Sequence, residues 1–187
     1  MLRPNSPNNI DARQARGSNM GRIAVTDGMS DEATTILQEA GHEVVHGHHD
    51  KNEIAKGSLA AFDAVVIRSA TRLFAEEIKA SVRPAGGIRF IGRAGVGVDN
   101  IDIDAATEQG VVVCNTPGAS TRSVAEITIA HLLASTRHIT TADRTLRDGH
   151  WAKKQLRGTE IGGKRLGLIG FGRIARDVSE IATAFGM

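Results

Sequence analysis

The stretch Leu166-Gly167-Leu168-Ile169-Gly170-Phe171-Gly172-Arg173-Ile174-Ala175 constrains this chain more than any other. A short apolar run leads into Gly-x-Gly-x-x-Ala. Apolar positions then recur at helical spacing through Ala175, Val178, Ile181, Ala182 and Phe185, with Arg176, Asp177, Glu180 and Thr183 on the other face. Strand, glycine turn and helix in that order is the context of a dinucleotide-binding fingerprint. Gly170 permits the tight turn, Gly172 lets the backbone approach a pyrophosphate, and Ala175 leaves room for helix to pack on strand. A helix start also offers free N–H groups and a positive dipole end to phosphates. A structural glycine turn in some other α/β unit is the competing reading, and the flanking strand and helix favour the cofactor. A Walker loop is disfavoured, because Arg173 follows Gly172 and no Gly-Lys-Ser/Thr is present. The acidic residue that grips the adenosine ribose lies about 20 residues further on in such folds. Only twelve residues follow Ala175, so the expectation is a fingerprint that opens a truncated domain.

At 187 residues the chain has length for one domain or two small ones. Hydrophobic residues at 41% and charged residues at 24% are ordinary for a soluble globular protein. A net charge of +2 gives no electrostatic case for nucleic acid. Cys114 is the only cysteine, which rules out an intrachain disulfide and fits a reducing cytoplasm. No apolar run approaches the roughly 18 residues of a membrane span, and there is no secretory h-region. The expectation is a soluble, cytoplasmic chain with neither nucleic acid nor membrane as a partner. Residues 1–19, rich in Pro, Asn, Arg and Ser without periodicity, read as a disordered extension or an over-called start before Met20.

From Met20 onward, strand and helix patterns alternate. The short apolar runs Arg22–Thr26, Glu43–Val45, Asp63–Ile67, Ile88–Ile91 and Val111–Cys114 read as strands. Between them lie a helix ending at Gly41, a weaker one over Asn52–Phe62 interrupted by Gly57, one over Leu73–Val82, and one capped by Asp102 through Glu108. Ser123-Val-Ala-Glu126 reads as a capping box opening a long helix to about His138, apolar nearly all round and so buried on several sides. Thr141–Arg147 reads as a polar helical turn. This alternation predicts an α/β fold with a parallel sheet, whose ligands sit beyond the carboxyl ends of the strands.

Three loops lie at such ends. Arg68-Ser69 offers a guanidinium fork and a hydroxyl for a carboxylate or phosphate, or is simply an exposed arginine. Gly92, Gly95 and Gly97 free backbone N–H groups to face an anion. Asn115 leaves the fifth strand. Elsewhere, His46, His48, His49 and Asp50 lack the spacing of a metal set and read as a solvated loop, with no metal. His131 reads as a packed or hydrogen-bonded histidine. Trp151, the only tryptophan, either anchors a partner subunit or folds back on its own domain.

Gly92-Arg-Ala-Gly-Val-Gly-Val-Asp-Asn-Ile101, Cys114-Asn-Thr-Pro117, Ser123-Val-Ala-Glu126 and Leu166–Ala175, in that order, resemble the D-isomer-specific 2-hydroxyacid dehydrogenases. Val66-Ile-Arg-Ser-Ala-Thr71 and Asp148-Gly-His-Trp-Ala-Lys-Lys154 look most like the members that oxidise 3-phospho-D-glycerate with NAD. The resemblance implies a flavodoxin-like, parallel-sheet substrate domain over 20–118, then the start of a truncated Rossmann NAD-binding domain over 119–187, separated by a cleft. It implies that Arg68, Ser69, Gly95, Val96, Gly97 and Asn115 form the substrate side and that Val96 also borders the cofactor. Gly170, Gly172, Arg173 and Ile174 match the pyrophosphate loop. The substrate is then a small phosphorylated hydroxy acid, and the full-length protein a homo-oligomer. The family's catalytic arginine, glutamate and histidine find no matching position here, which implies no catalytic residue in this chain and no turnover by it alone. Reduction of hydroxypyruvate or glyoxylate stays open, as does a non-catalytic NAD- or ligand-sensing module. NAD against NADP is not decided. If the fingerprint strand has no neighbours, both its edges lie bare, and residues from about 140 onward are loosely held.

Overall fold

Strands of only a few residues, rich in Val and Ile, alternate with short helices along the first half of the chain, as β-branched side chains favour a pleated, buried surface. The computed structural model describes residues 20–84 and 86–187, and the reading of 1–19 lies outside them. The strands are β1 (Arg22–Val25), β2 (Glu43–His46), β3 (Ala64–Ile67), β4 (Val82–Arg83), β5 (Gly86–Gly87), β6 (Phe90–Arg93) and β7 (Val112–Asn115). The helices are α1 (Asp31–Glu39), α2 (Lys51–Ala55), α3 (Ala75–Ser81), α4 (Ile103–Glu108), α5 (Thr121–Thr136), α6 (Ile139–Arg147) and α7 (Arg173–Ala184), with a 3-10 turn at Ser58–Ala61. The described residues divide into two compact units between Thr116 and Pro117.

In the first unit five strands pair in the order β2-β1-β3-β6-β7, all parallel, while β4 and β5 form a separate antiparallel pair. This is the flavodoxin-like order, in which the chain moves outward from β1 to β2 and then returns to build on the other side. The switch point therefore lies between β1 and β3. Val65 and Ile67 of β3 are fully buried, and Ala24, Leu59, Leu73, Ile78, Ile88 and Ile91 pack with them in one core. Coverage on both faces is what a parallel sheet requires.

Several elements differ from the sequence expectation. The fourth strand is Phe90–Arg93 rather than Ile88–Ile91. Ile88 is buried, but it precedes the strand, with its N–H on the Ser81 carbonyl at 3.0 Å. The glycine that follows the apolar run is itself in the sheet, since Gly92 and Arg93 pair with Cys114 and Asn115. The helix over Asn52–Phe62, by contrast, is interrupted at Gly57 as expected, where φ is +88°. A side chain there would also meet the Ala80 carbonyl at 2.9 Å.

In the second unit the capping box does not form. Helix α5 starts at Thr121, so Ser123 already lies inside it, and Glu126 reaches back to Arg122 Nε at 3.1 Å instead. That helix is not buried on several sides among the described residues. Ala125 and Ile129 are buried against Val178 and Ala182 of α7, whereas Val124 and Ile127 are exposed. His131 likewise lies exposed rather than packed. The expected polar turn is a nine-residue helix, α6, entered through His138 in the left-handed region at φ 55°.

The run expected as the fingerprint strand is not in a strand, and Ile169 lies in a bend. Leu166 and Leu168 lean on the helix pair while Gly167 and Ile169 face out, the two-residue alternation of a strand. Among the described residues no strand joins it in a sheet, and Ile169 is fully exposed. Backbone groups without ladder partners exchange hydrogen readily. In this chain the amides of Leu168 and Ile169 should exchange at close to the free-peptide rate, while those of Val65 and Ile67 are protected at least a hundredfold more, on the order expected for a buried central strand. Comparable protection at both places, measured by NMR-detected exchange, would contradict this arrangement.

Candidate functional site

At the switch point, β1 ends in Thr26-Asp27 and β3 in Arg68-Ser69-Ala70-Thr71. Asp27 Oδ2 accepts from the N–H of Arg68 at 2.7 Å and of Thr71 at 3.0 Å, and Oδ1 accepts from Thr71 Oγ1 at 2.6 Å. Thr71 Oγ1 also lies 2.7 Å from Thr26 Oγ1. From the other side, Asn100 Nδ2 donates to the carbonyls of Arg68 and Thr71, both at 2.8 Å. Thr71 and Asn100 are buried, while Arg68, Ser69 and Ala70 are exposed. The turn thus has a fixed backbone and free side chains. Burial pushes the Asp27 carboxyl up, but hydrogen bonds from the Thr71 hydroxyl and from the amides of Thr71, Arg68 and Ala70 outweigh it and hold it below the usual carboxylate range.

The loop leaving β6, Ala94–Asn100, closes beside this turn. The Ala94 N–H reaches the Ile67 carbonyl at 2.9 Å, Thr116 N–H reaches Gly95 O at 2.9 Å, and Asn115 Nδ2 donates to Val96 O at 2.7 Å. Asn115 therefore braces the backbone of the glycine loop, and Val96 stays exposed. The space a side chain on Gly95 would take is filled by the Arg93 guanidinium, which donates from Nη1 to Ala94 O at 3.2 Å. At Gly97 a side chain would meet Asp99 Oδ1 at 2.9 Å. Arg68, Ser69, Gly95, Val96, Gly97 and Asn115 thus belong to three adjacent strand ends of the first unit.

In the second unit Gly170 has φ +87°, which strongly favours glycine, and Gly172 is the N-cap of α7. Nothing lies within 4 Å of where a side chain on either would sit. The first N–H groups of a helix have no partner inside it, so Arg173 and Ile174 open α7 with amides free for an anion beside an unobstructed backbone. A helix start of that kind is open to an anion.

The remaining sequence candidates lie apart. His46 Nε2 contacts Thr34 Oγ1 and His49 Nδ1 contacts Ser58 Oγ, each at 3.0 Å. Among the described residues no group of three or more His, Cys, Asp or Glu is set to hold a metal ion, and no helix is long and apolar enough to cross a membrane. Trp151 is 79% exposed, so it does not fold back onto its own unit. Asp27, Thr71 and Asn100 were not singled out by sequence reasoning. Their role comes from contacts 29 to 44 residues apart along the chain, for which short-range spacing carries no signal.

Residues 23–183 match the family described as D-isomer specific 2-hydroxyacid dehydrogenase, catalytic domain. A hydroxypyruvate reductase of Thermotoga maritima is 45% identical over 167 residues, covering 89% of this chain and 53% of the relative. A D-3-phosphoglycerate dehydrogenase of Methanocaldococcus jannaschii is 43% identical over 168 residues, covering 90% of this chain and 31% of the relative. Among solved structures, an acyclic imino acid reductase in complex with NADPH and D-Arg superposes with a TM-score of 0.76 at 29% identity, covering 89% of this chain and 54% of that one. The chain thus spans about half the length of the first relative and about a third of the second.

A carboxylate held below its unfolded value contributes stability that is present above the unfolded value, about 3.9, and is lost as pH falls through the lower folded one. Asp27→Asn should therefore lower the urea midpoint of the first unit at neutral pH, and the gap from wild type should close as pH falls below about 4. A gap independent of pH would show that the Asp27 charge does not matter to this turn.

Proposed function

The chain belongs to the D-isomer specific 2-hydroxyacid dehydrogenases, and from that premise we propose that it carries the acid-binding edge and the pyrophosphate turn of an NAD-dependent oxidation of 3-phospho-D-glycerate to 3-phosphohydroxypyruvate, the entry to L-serine synthesis. The single observation behind this reading is the exposed Arg68-Ser69 pair on a backbone clamped at the switch point of a parallel sheet. A guanidinium beside a hydroxyl suits an oxyanion bidentately. Residues 20–118 act as the substrate domain and 119–187 as the start of the cofactor domain.

In this reading Arg68 and Ser69 hold an acid group of the substrate, with the backbone from Gly95 to Gly97 lining the same site. Val96 borders both substrate and cofactor, and Asn115 keeps the Val96 carbonyl in place. Gly170, Gly172, Arg173 and Ile174 receive the pyrophosphate. The nicotinamide, when bound, supplies acceptance of the hydride from the substrate's carbinol carbon. Removing the hydroxyl proton needs a general base, and stabilising the developing charge needs a second cation. None of the residues assigned above supplies either group, and we infer that the 187-residue chain by itself binds but does not turn over. An NADH signal above blank with 3-phospho-D-glycerate would overturn this. The setting is the cytoplasm. The working form is a homo-oligomer, a reading supported by the exposure of Val124, Ile127 and Trp151.

The 45%-identical hydroxypyruvate reductase favours a second reading, in which the substrate is an unphosphorylated hydroxy or oxo acid. The two differ by one dianion. Calorimetric titration should give tighter binding of 3-phospho-D-glycerate than of D-glycerate, and Arg68→Ala should weaken the former by roughly tenfold or more, the worth of a charge-assisted contact. Equal affinity for the two acids favours the reductase reading.

A further inference from the structure

Residues 68–70 of the turn Arg68–Thr71 are exposed and the turn buries no large apolar side chain, yet it is held by one carboxylate, two hydroxyls and one buried amide. Polar groups buried at that density cost desolvation, and Asn100 Oδ1 is buried without a partner. Packing alone gives no reason for the arrangement. Its geometry does. The N–H groups of Arg68 and Thr71 point to one side and meet Asp27, while the carbonyls of the same two residues point to the other and meet Asn100.

Two consequences follow. Converging backbone N–H groups form a nest that attracts any anion. Asp27 occupies that nest from within, so an incoming acid meets side chains rather than these amides. The Asp27 charge is also spent on amides and a hydroxyl. Among the described residues Arg68 forms no ion pair, which leaves its cation available. The proton order is fixed too. Thr71 Oγ1 donates to Asp27, so Thr26 Oγ1 donates to Thr71, and the Thr26 N–H rests on Val66 O at 3.2 Å. The relay ties the turn to the central strand pair.

We propose that Asp27, Thr71 and Asn100 are positioning residues, which set ligand affinity by holding the backbone of Arg68 and Ser69 and do not themselves touch the ligand. This rests on the reading that Arg68 and Ser69 hold the substrate's acid group. Asp27 acts as a built-in counter-anion that keeps the nest closed, and Asn100 sets the direction in which the turn leaves the sheet.

The test is a double-mutant cycle on the 187-residue chain, titrated with 3-phospho-D-glycerate and followed by amide NMR, with unchanged Val65 and Ile91 shifts certifying the fold. Asp27→Asn and Asn100→Ala should each weaken binding by roughly tenfold, and each should weaken it by much less in an Arg68→Ala background, because coupled residues are non-additive. Thr71→Val enters the same cycle in place of any variant that fails to fold. Full additivity with Arg68→Ala, or no effect of either variant while Arg68→Ala weakens binding, overturns the positioning role alone. Absence of binding by the wild type, or binding unaffected by Arg68→Ala, removes the substrate-site reading and this proposal with it.

Discussion

Pairing of β3 with β1 on one side and β6 on the other sets everything at the ligand edge of the first unit. The register matches Val25 to Val66 and Ile67 to Arg93, and the next pair out matches Arg93 to Asn115. Because all these strands run parallel, each loop that leaves a carboxyl end departs from the same side of the sheet. Asp27, Arg68 and Gly95 become neighbours for that reason, although the chain separates them widely. A slip of one residue in β3 would turn Val65 and Ile67 out of the core. It would also move Arg68 away from the Asp27 carboxylate, so core packing and loop placement are enforced by the same contacts.

The two units are stabilised in unlike ways. The first has an apolar sheet covered on both faces, and its buried core includes side chains from three strands, four helical segments and the connections between them. The second rests mainly on one helix pair, in which Ala125 and Ile129 meet Val178 and Ala182, with Leu166 and Leu168 laid against them. Small residues at that contact let the helices approach closely but contribute little buried area each. The segment before Gly170 adds apolar contact without ladder hydrogen bonds. Its order depends on the helices, whereas in the first unit the helices depend on the sheet.

Much of the first unit was legible in the sequence because its signals are local. Runs such as Ala64–Ile67, Asp102 as a helix cap, and Gly57 and Gly110 as stops act within a few residues. A local signal misleads where it has two physical meanings. Ile88 is as apolar as a strand residue, but burial in a connection looks the same in one dimension. Ser123 and Glu126 have capping-box spacing, yet that spacing also occurs inside a helix, and Arg122 one turn before Glu126 offers a better partner. The all-apolar surface of α5 announced burial without saying against what. The clamp on the Arg68 turn was invisible for a different reason, since an Asp, a Thr and an Asn in three separate loops become a site only when the strand order is known.

The two glycine-rich loops show why composition alone does not identify a ligand site. In the Gly92–Gly97 loop the missing side chains are replaced by the protein's own groups, the Arg93 guanidinium at Gly95 and the Asp99 carboxylate at Gly97. Anything approaching that backbone meets a cation that donates from Nη1 to the Ala94 carbonyl at 3.2 Å. At Gly170 and Gly172 the same space is open, and the helix behind it presents unpaired amides. One loop has its backbone covered by a charged side chain, and the other leaves it bare. The two are alike in glycine content and opposite in access, so the groups bordering the backbone, rather than the count of glycines, decide what can reach it.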